Sequence, residues 1–338
     1  MKAAVLRGPE NILVQDMPKP KPGKYEVLIN VRCCGICGSD LGIYKMGFGD
    51  GLVMGHEFSG DIVEVGEGVK DWQTGDRVVV EPSVVCGECY WCKRQEYNRC
   101  NSWGSTGIVT DGGFAEFVKA PEYQLHRLPK EVSYEEGALV EPLSVALHAV
   151  WLSRLKPGAS VAVFGCGSLG VLVALWANAV GADKTFATEV AGPKITIAEK
   201  FVDVVINPKE EDPVNRITEL TGGLGPDIVF ECSGNAMAEV QALEVVRKGG
   251  QVIILGMPHE PTSLDLLTLG LKEITLKGAL AYSSLSGDGE FPTSINFIKA
   301  RRIDPNPVVT SKIPLDDIVE KGFMKMSMGE DIKILVTP

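Results

Sequence analysis

The sequence predicts an α/β plus β protein of two domains: a β-rich N-terminal domain with long loops, then a doubly wound parallel sheet. Three observations carry this. The chain has 338 residues, too many for one ordinary core at roughly 100–200 residues per domain. Its texture changes near Gly158, from short β-rich runs broken by Gly and Pro to strand candidates separated by helix-like stretches. The first strand of the second half, Val161–Phe164, runs straight into Gly165-Cys-Gly167-Ser168-Leu169-Gly170 and an apolar, helix-like stretch.

In the first half, Val27, Ile29 and Val31 alternate as in a half-buried strand, and β-rich runs follow at Asp61–Val65 and Arg77–Val80. Beyond Val161–Phe164 come five further strand candidates: Lys184–Thr188, Val204–Ile206, Asp227–Glu231, Gln251–Leu255 and Ile274–Lys277. That rhythm is a doubly wound parallel sheet. After about Gly278 it relaxes, and a last strand, Asp331–Val336, has no helix behind it and is expected to rejoin the first domain.

Composition narrows the function. With 45% hydrophobic and 23% charged residues the chain reads as globular, and its net charge of −11 lacks the basic footprint of a nucleic-acid or anionic-membrane binder. The opening MKAAVLRGPE has no hydrophobic signal region, so a cytoplasmic protein is expected. Val161–Val180 is apolar enough to suggest a membrane span, but Gly165, Gly167 and Gly170 suit a strand, a turn and a helix better. Nine cysteines without an export signal point to metal or thiol chemistry and away from disulfides.

Four of those cysteines, Cys86, Cys89, Cys92 and Cys100, form a Cys-x2-Cys-x2-Cys-x7-Cys array on one polar loop. Four thiolates can close a tetrahedral zinc shell; iron–sulfur ligation uses the same residues, but one short loop suits a single structural ion better. A nucleic-acid zinc finger is disfavoured, because the local cations are only Lys93, Arg94 and Arg99 in an acidic protein. A second set is dispersed: Cys37 in Cys-Gly-Ile-Cys-Gly-Ser-Asp, His56-Glu57, and Glu141 in Val-Glu-Pro. Together these supply thiolate, imidazole and carboxylate, the mixed three-ligand shell of a catalytic zinc with an open fourth position.

The third set is a dinucleotide site. Gly165, Gly167 and Gly170 permit the tight turn and bring a pyrophosphate to the helix start at Ser168 and Leu169. Glu189, nineteen residues beyond Gly170 at a strand end, is placed to accept both ribose hydroxyls and repel a 2′-phosphate, which favours NAD; nearby Lys194 weakens that preference. Cys232, just past the strand candidate Asp227–Glu231, joins the cofactor-binding candidates.

GICGSD, GHEFSGDIVEVGEGV, the four-cysteine loop, GGFAEF, GALVEPLSVALHAV and GCGSLG resemble the zinc-containing medium-chain dehydrogenase family nearly end to end. LVEPLSVALHA and the tail segments RIDPNPVVTSKIPLDDIVEKGF and IKILV are most similar to its 2,3-butanediol and sorbitol dehydrogenase branch. The resemblance implies a GroES-like β-barrel catalytic domain over residues 1–150, completed by about 280–338, and a Rossmann NAD-binding domain over 151–279. It also implies NAD and two zinc ions per chain, a small alcohol, diol or polyol substrate, and a homodimer or homotetramer. Catalytic zinc would be held by Cys37, His56 and a glutamate, with Ser39 as the proton-relay hydroxyl. Glu141 is the favoured glutamate, with Glu57 exchanging in or holding a water, and His148 packing behind.

Two departures from the branch stand out. Gly42 occupies the place where a relay histidine usually follows GSD, and the stretch before His56, Met46–Met54, is short and glycine-rich. The rival expectation is a zinc-free or non-catalytic nucleotide-binding relative; Cys37, His56 and Glu141 argue against it.

Overall fold

The computed structural model describes residues 1–258, 260–283, 289–329 and 331–338. Two compact units emerge: Met1–Glu141 with Tyr282–Pro338, and Pro142–Ala281. A helix, Val140–Ser153, runs through the division, and the sequence-based boundary at residue 150 falls inside it.

In the first unit, β1 (Lys2–Leu6) and β2 (Ile12–Asp16) form an antiparallel hairpin. The scaffold proper uses β3 (Glu26–Gly35), β4 (Glu57–Val65) and β5 (Arg77–Val80). A small ribbon, β6 (Ser83–Val84) with β7 (Gly104–Ser105), carries the cysteine loop between its strands. β8 (Phe117–Pro121) and β9 (Leu125–Arg127) then return to the main sheet. Strand β3 was expected to be half-buried, yet Val27, Leu28 and Ile29 are all buried. The reason lies on the strand's faces: Val27 and Ile29 belong to the unit's core, while the helix Tyr134–Ala138 packs against β3 and β4, and with both faces covered the alternation along the strand is lost.

The second unit holds β10 (Ser160–Phe164), β11 (Lys184–Thr188), β12 (Val204–Ile206), β13 (Ile228–Glu231), β14 (Gln251–Ile254) and β15 (Thr275–Gly278). All pair in parallel, in the spatial order β12-β11-β10-β13-β14-β15. Counting from β10 this is 3-2-1-4-5-6, the order of a dinucleotide-binding sheet, which reverses direction between β10 and β13. The apolar stretch after Gly167 is a helix of thirteen residues, Ser168–Val180, stopped by Gly181 at φ 100°. No helix among the described residues is long and apolar enough to cross a membrane.

The chain then returns to the first unit. β16 (Val309–Pro314) lies parallel to β17 (Lys333–Thr337), and β17 pairs antiparallel with β3 through Leu335↔Gly35 and Val336↔Cys34. Ile334, Val336, Ile318 and Phe323 from this tail share one core with Ile29, Phe58 and Phe114. At about 1.5–3 kcal/mol for each large apolar side chain buried, the tail is an integral part of that unit.

Candidate active site and metal centres

Cys37 is the residue before the helix Gly38–Met46 and has extended geometry, φ −95° and ψ 157°. Its backbone N–H donates to Asp40 Oδ2 at 2.9 Å. The other oxygen, Oδ1, faces His56 Nδ1 at 3.4 Å, and both of these buried atoms lack another partner. One fully buried carboxylate thus addresses both expected ligands. In the neutral ring, with its proton on Nδ1 toward Asp40, His56 Nε2 would present its lone pair on the side where Ser39 Oγ lies, 3.5 Å away. Burial opposes charge on the imidazole, but Asp40 and Cys37 outweigh it and hold the ring well above its ordinary value. Gly47, at φ 67°, ends the helix, and a Cβ there would strike Pro9 N at 2.3 Å.

Glu57 opens β4 directly after His56, and its carboxylate is grasped on both oxygens by Lys333 Nζ at 2.7 Å each. The same ammonium donates to the Ile36 carbonyl at 3.0 Å, and both charged side chains are 1% exposed. Gly35 makes room for this pair, since a Cβ there would lie 2.2 Å from Glu57 Oε2. Donor atoms of Cys37, His56 and Glu57 lie within 4.8 Å of one another.

Glu141 falls outside that converging set, although the sequence favoured it over Glu57. It is nevertheless buried in the same charged neighbourhood. Burial pushes its carboxyl up to about 7, with Glu57 adding to the rise and His56, Lys333 and a hydrogen bond from Tyr282 opposing it. The donor chemistry fits zinc: a thiol, an imidazole with an oriented nitrogen and a carboxylate sit together, with buried polar atoms of His56 and Asp40 otherwise unpartnered. His148, on the helix Val140–Ser153, is buried in the second unit.

Cys86, Cys89, Cys92 and Cys100 converge as their spacing suggested. Sulfur separations are 3.9 Å for Cys86–Cys92 and 3.5 Å for both Cys89–Cys92 and Cys86–Cys100. A zinc tetrahedron with bonds of roughly 2.3 Å has edges of about 3.8 Å, so the four thiols already have its dimensions, whereas a disulfide needs about 2 Å. Backbone amides support thiolates here: the N–H groups of Cys86 and Cys89 point at the sulfurs of Cys100 and Cys86, each at 3.4 Å. Amide bonding from Cys92 brings the Cys89 thiol down to about 6.

In the second unit, Gly165 has φ 90° and a Cβ on it would meet Ser233 Cβ at 2.7 Å; one on Gly170 would meet the Gly165 carbonyl at 1.9 Å. These two glycines are required by the packing of turn, strand and helix. Gly167 is different, because a Cβ there meets nothing within 4 Å, leaving open space at the start of the helix where Ser168 and Leu169 present unpaired amides. Glu189 follows β11 and lies against the turn, accepting from the Cys166 N–H at 2.9 Å and from Val190 and Ala191 at 2.8 and 3.0 Å. A carboxylate has about four lone-pair positions, so acceptor capacity is left for a ligand. Lys194 acts on the same turn, lowering the Cys166 thiol while burial and Glu189 raise it to about 12. Cys232 closes the far side, its N–H donating to the Phe164 carbonyl at 2.8 Å.

Sequence reasoning missed four side chains that shape these sites: Asp40, Lys333, Tyr282 and Glu81. Asp40 stood in plain view within GSD, and its signal was the coincidence of an acid three residues after the cysteine, at a helix start. The others carry no local signal, since their partners lie far along the chain.

Residues 23–130 match the family model described as alcohol dehydrogenase GroES-like domain, and residues 168–300 the one described as zinc-binding dehydrogenase. The chain is 37% identical over 355 residues to (R,R)-butanediol dehydrogenase of Bacillus subtilis, each covered in full. It is 34% identical over 351 residues to sorbitol dehydrogenase of the same organism, covering 100% of this chain and 97% of the relative. The crystal structure of 2R,3R-butanediol dehydrogenase from Bacillus subtilis superposes with a TM-score of 0.91 at 36% identity, covering 100% of this chain and 99% of that one. With two metal-ligand clusters, a dinucleotide-type sheet and relatives matched along its whole length, the chain belongs to the zinc-binding alcohol dehydrogenase family of oxidoreductases.

Proposed function

We propose that this enzyme oxidises secondary alcohols, vicinal diols or polyols to ketones with NAD as hydride acceptor, using one catalytic and one structural zinc. The observation that carries this is the convergence of Cys37, His56 and Glu57, backed by Asp40 and Lys333, in a chain similar throughout to butanediol and sorbitol dehydrogenases. Cys37 Sγ, His56 Nε2 and a Glu57 oxygen would hold the catalytic ion; the thiolates of Cys86, Cys89, Cys92 and Cys100 would hold the other. Bound zinc supplies Lewis acidity toward a substrate hydroxyl. Ser39 Oγ, beside His56, would accept the proton that leaves this hydroxyl while giving up its own toward the nicotinamide ribose and solvent. Glu141, poised near neutrality by burial, accepts a hydrogen bond or proton at the same place. Gly167 and the helix start at Ser168 admit the pyrophosphate, Gly165 and Gly170 shape the turn, and Glu189 binds the adenosine ribose, with Cys232 and Lys194 bordering it. The expected cytoplasmic homodimer or homotetramer belongs to the same proposal.

A second assignment of the glutamates has its own support: Glu57 is already neutralised by direct contact with Lys333, while burial raises the carboxyl of Glu141. Elemental analysis of Glu57→Gln and Glu141→Gln separates the two. The first assignment expects loss of one zinc only in Glu57→Gln, with Glu141→Gln keeping both ions and losing kcat. The opposite pattern establishes Glu141 as the ligand. The substrate class is tested with a panel of primary alcohols, secondary diols and polyols, and ethanol exceeding every secondary diol in kcat/KM would refute it.

A further inference from the structure

Glu81 follows β5 and is 0% exposed. Such a carboxylate is costly to bury unless it is held by donors. Here the donors come from two distant segments. The Tyr97 hydroxyl, from the loop between Cys92 and Cys100, bonds one oxygen, and His126 Nε2, from β9, bonds the other at 2.8 Å. The His126 ring stacks on Phe291, with centroids 5.1 Å apart and an interplanar angle of 24°. Phe291 in turn meets Tyr282 edge to face at 4.9 Å and 76°. Tyr282, 2% exposed, lies beside Glu141 and acts on its carboxyl. All six residues lie in the first unit.

We infer that Glu81 is a positioning residue for the reaction, fixing Tyr282 against Glu141 through His126 and Phe291, with Tyr97 tying the arrangement to the four-cysteine loop. Tyr97, Phe291 and Tyr282 are buried and His126 is nearly so; Glu81 joins Tyr97 to His126, and ring contacts carry on from His126 through Phe291 to Tyr282, so a shift of the loop that carries Tyr97 is passed along packed groups. The four-cysteine loop, which would hold the structural metal, thereby also sets the place of Tyr97. This rests on the role given to Glu141 above.

The test is a kinetic double-mutant cycle on the zinc-loaded enzyme. Tyr97→Phe removes one hydroxyl and no metal ligand. It is expected to keep two zinc ions per chain and an unchanged KM while kcat falls roughly 3–30-fold, the range of coupling carried through packed side chains. Tyr97→Phe combined with Tyr282→Phe should lose no more than Tyr282→Phe alone. Phe291→Leu breaks the ring contact without touching the cysteine loop and should reproduce the loss in kcat. Wild-type kcat in Tyr97→Phe and Phe291→Leu, or losses that multiply in the double variant, would overturn the inference. Glu141→Gln is the control: if it is fully active the assignment of Glu141 fails, whereas an impaired Glu141→Gln beside a silent Tyr97→Phe removes only the link through Glu81.

Discussion

Replacing Lys333 by Met removes the single ammonium that faces both oxygens of Glu57. Three contacts disappear, at 2.7, 2.7 and 3.0 Å, from a site where both partners are 1% exposed. Water cannot reach the carboxylate left behind, and breaking one side of a buried pair costs about 3–5 kcal/mol. For a unit of this size each kcal/mol moves the midpoint by about 2–4 °C, so the metal-free variant should melt roughly 6–20 °C lower. Adding Glu57→Gln should restore much of the loss, because removing both charges together is often close to neutral. Differential scanning calorimetry of the metal-free wild type, the single variant and the double variant provides the comparison. A shift below about 2 °C in Lys333→Met, or a double variant worse than the single, would show that the pair does not carry the charge balance of this core.

Three more expectations follow from the same geometry. NAD should be preferred to NADP in kcat/KM, and Glu189→Ala should narrow that gap while raising KM for NAD, because the carboxylate also braces the Cys166 amide; a wild type equally active with NADP would shift the selectivity to Lys194. In metal-free protein, the Glu141 carboxyl is raised from 4.5 to about 7, so its contribution is complete below pH 4.5 and is lost as pH rises through 7. Denaturation across that window should therefore show stability falling more steeply in the wild type than in Glu141→Gln, and parallel curves would contradict the assignment. Finally, a Cβ at Gly42 meets nothing within 4 Å, so Gly42→His should fold; it should flatten the pH dependence of oxidation, and an unchanged profile would remove the argument that a relay group is missing there.

What could be read from the sequence was whatever lay close together along it. The four cysteines occupy one loop and the Gly165–Gly170 turn sits between a strand and its own helix, so spacing alone carried the geometry. The parallel sheet was equally legible, because each of its strands is followed by its own connection. Strand β3 misled through its alternation, since the helix Tyr134–Ala138 packs over positions that a one-sided strand would expose. The pairing of Glu57 with Lys333 was hidden for another reason. Lys333 lies 276 residues from Glu57, and no local pattern says which glutamate it will meet. Glu81, Tyr97, His126 and Tyr282 likewise come from separate segments, and only their burial together reveals that they form one arrangement.

That long separation also orders the events of biosynthesis. At about 5–20 residues per second, some 14–55 s pass between the addition of Glu57 and that of Lys333. During this interval the nascent chain already contains Cys86, Cys89, Cys92 and Cys100, which are near neighbours and can capture an ion as soon as their loop is free. Cys37, His56 and Glu57 have no such independence, because β17 must first arrive beside β3 and deliver its lysine. The thiolate cluster can therefore assemble from a nascent chain, whereas the surroundings of Cys37, His56 and Glu57 are complete only once the tail has docked.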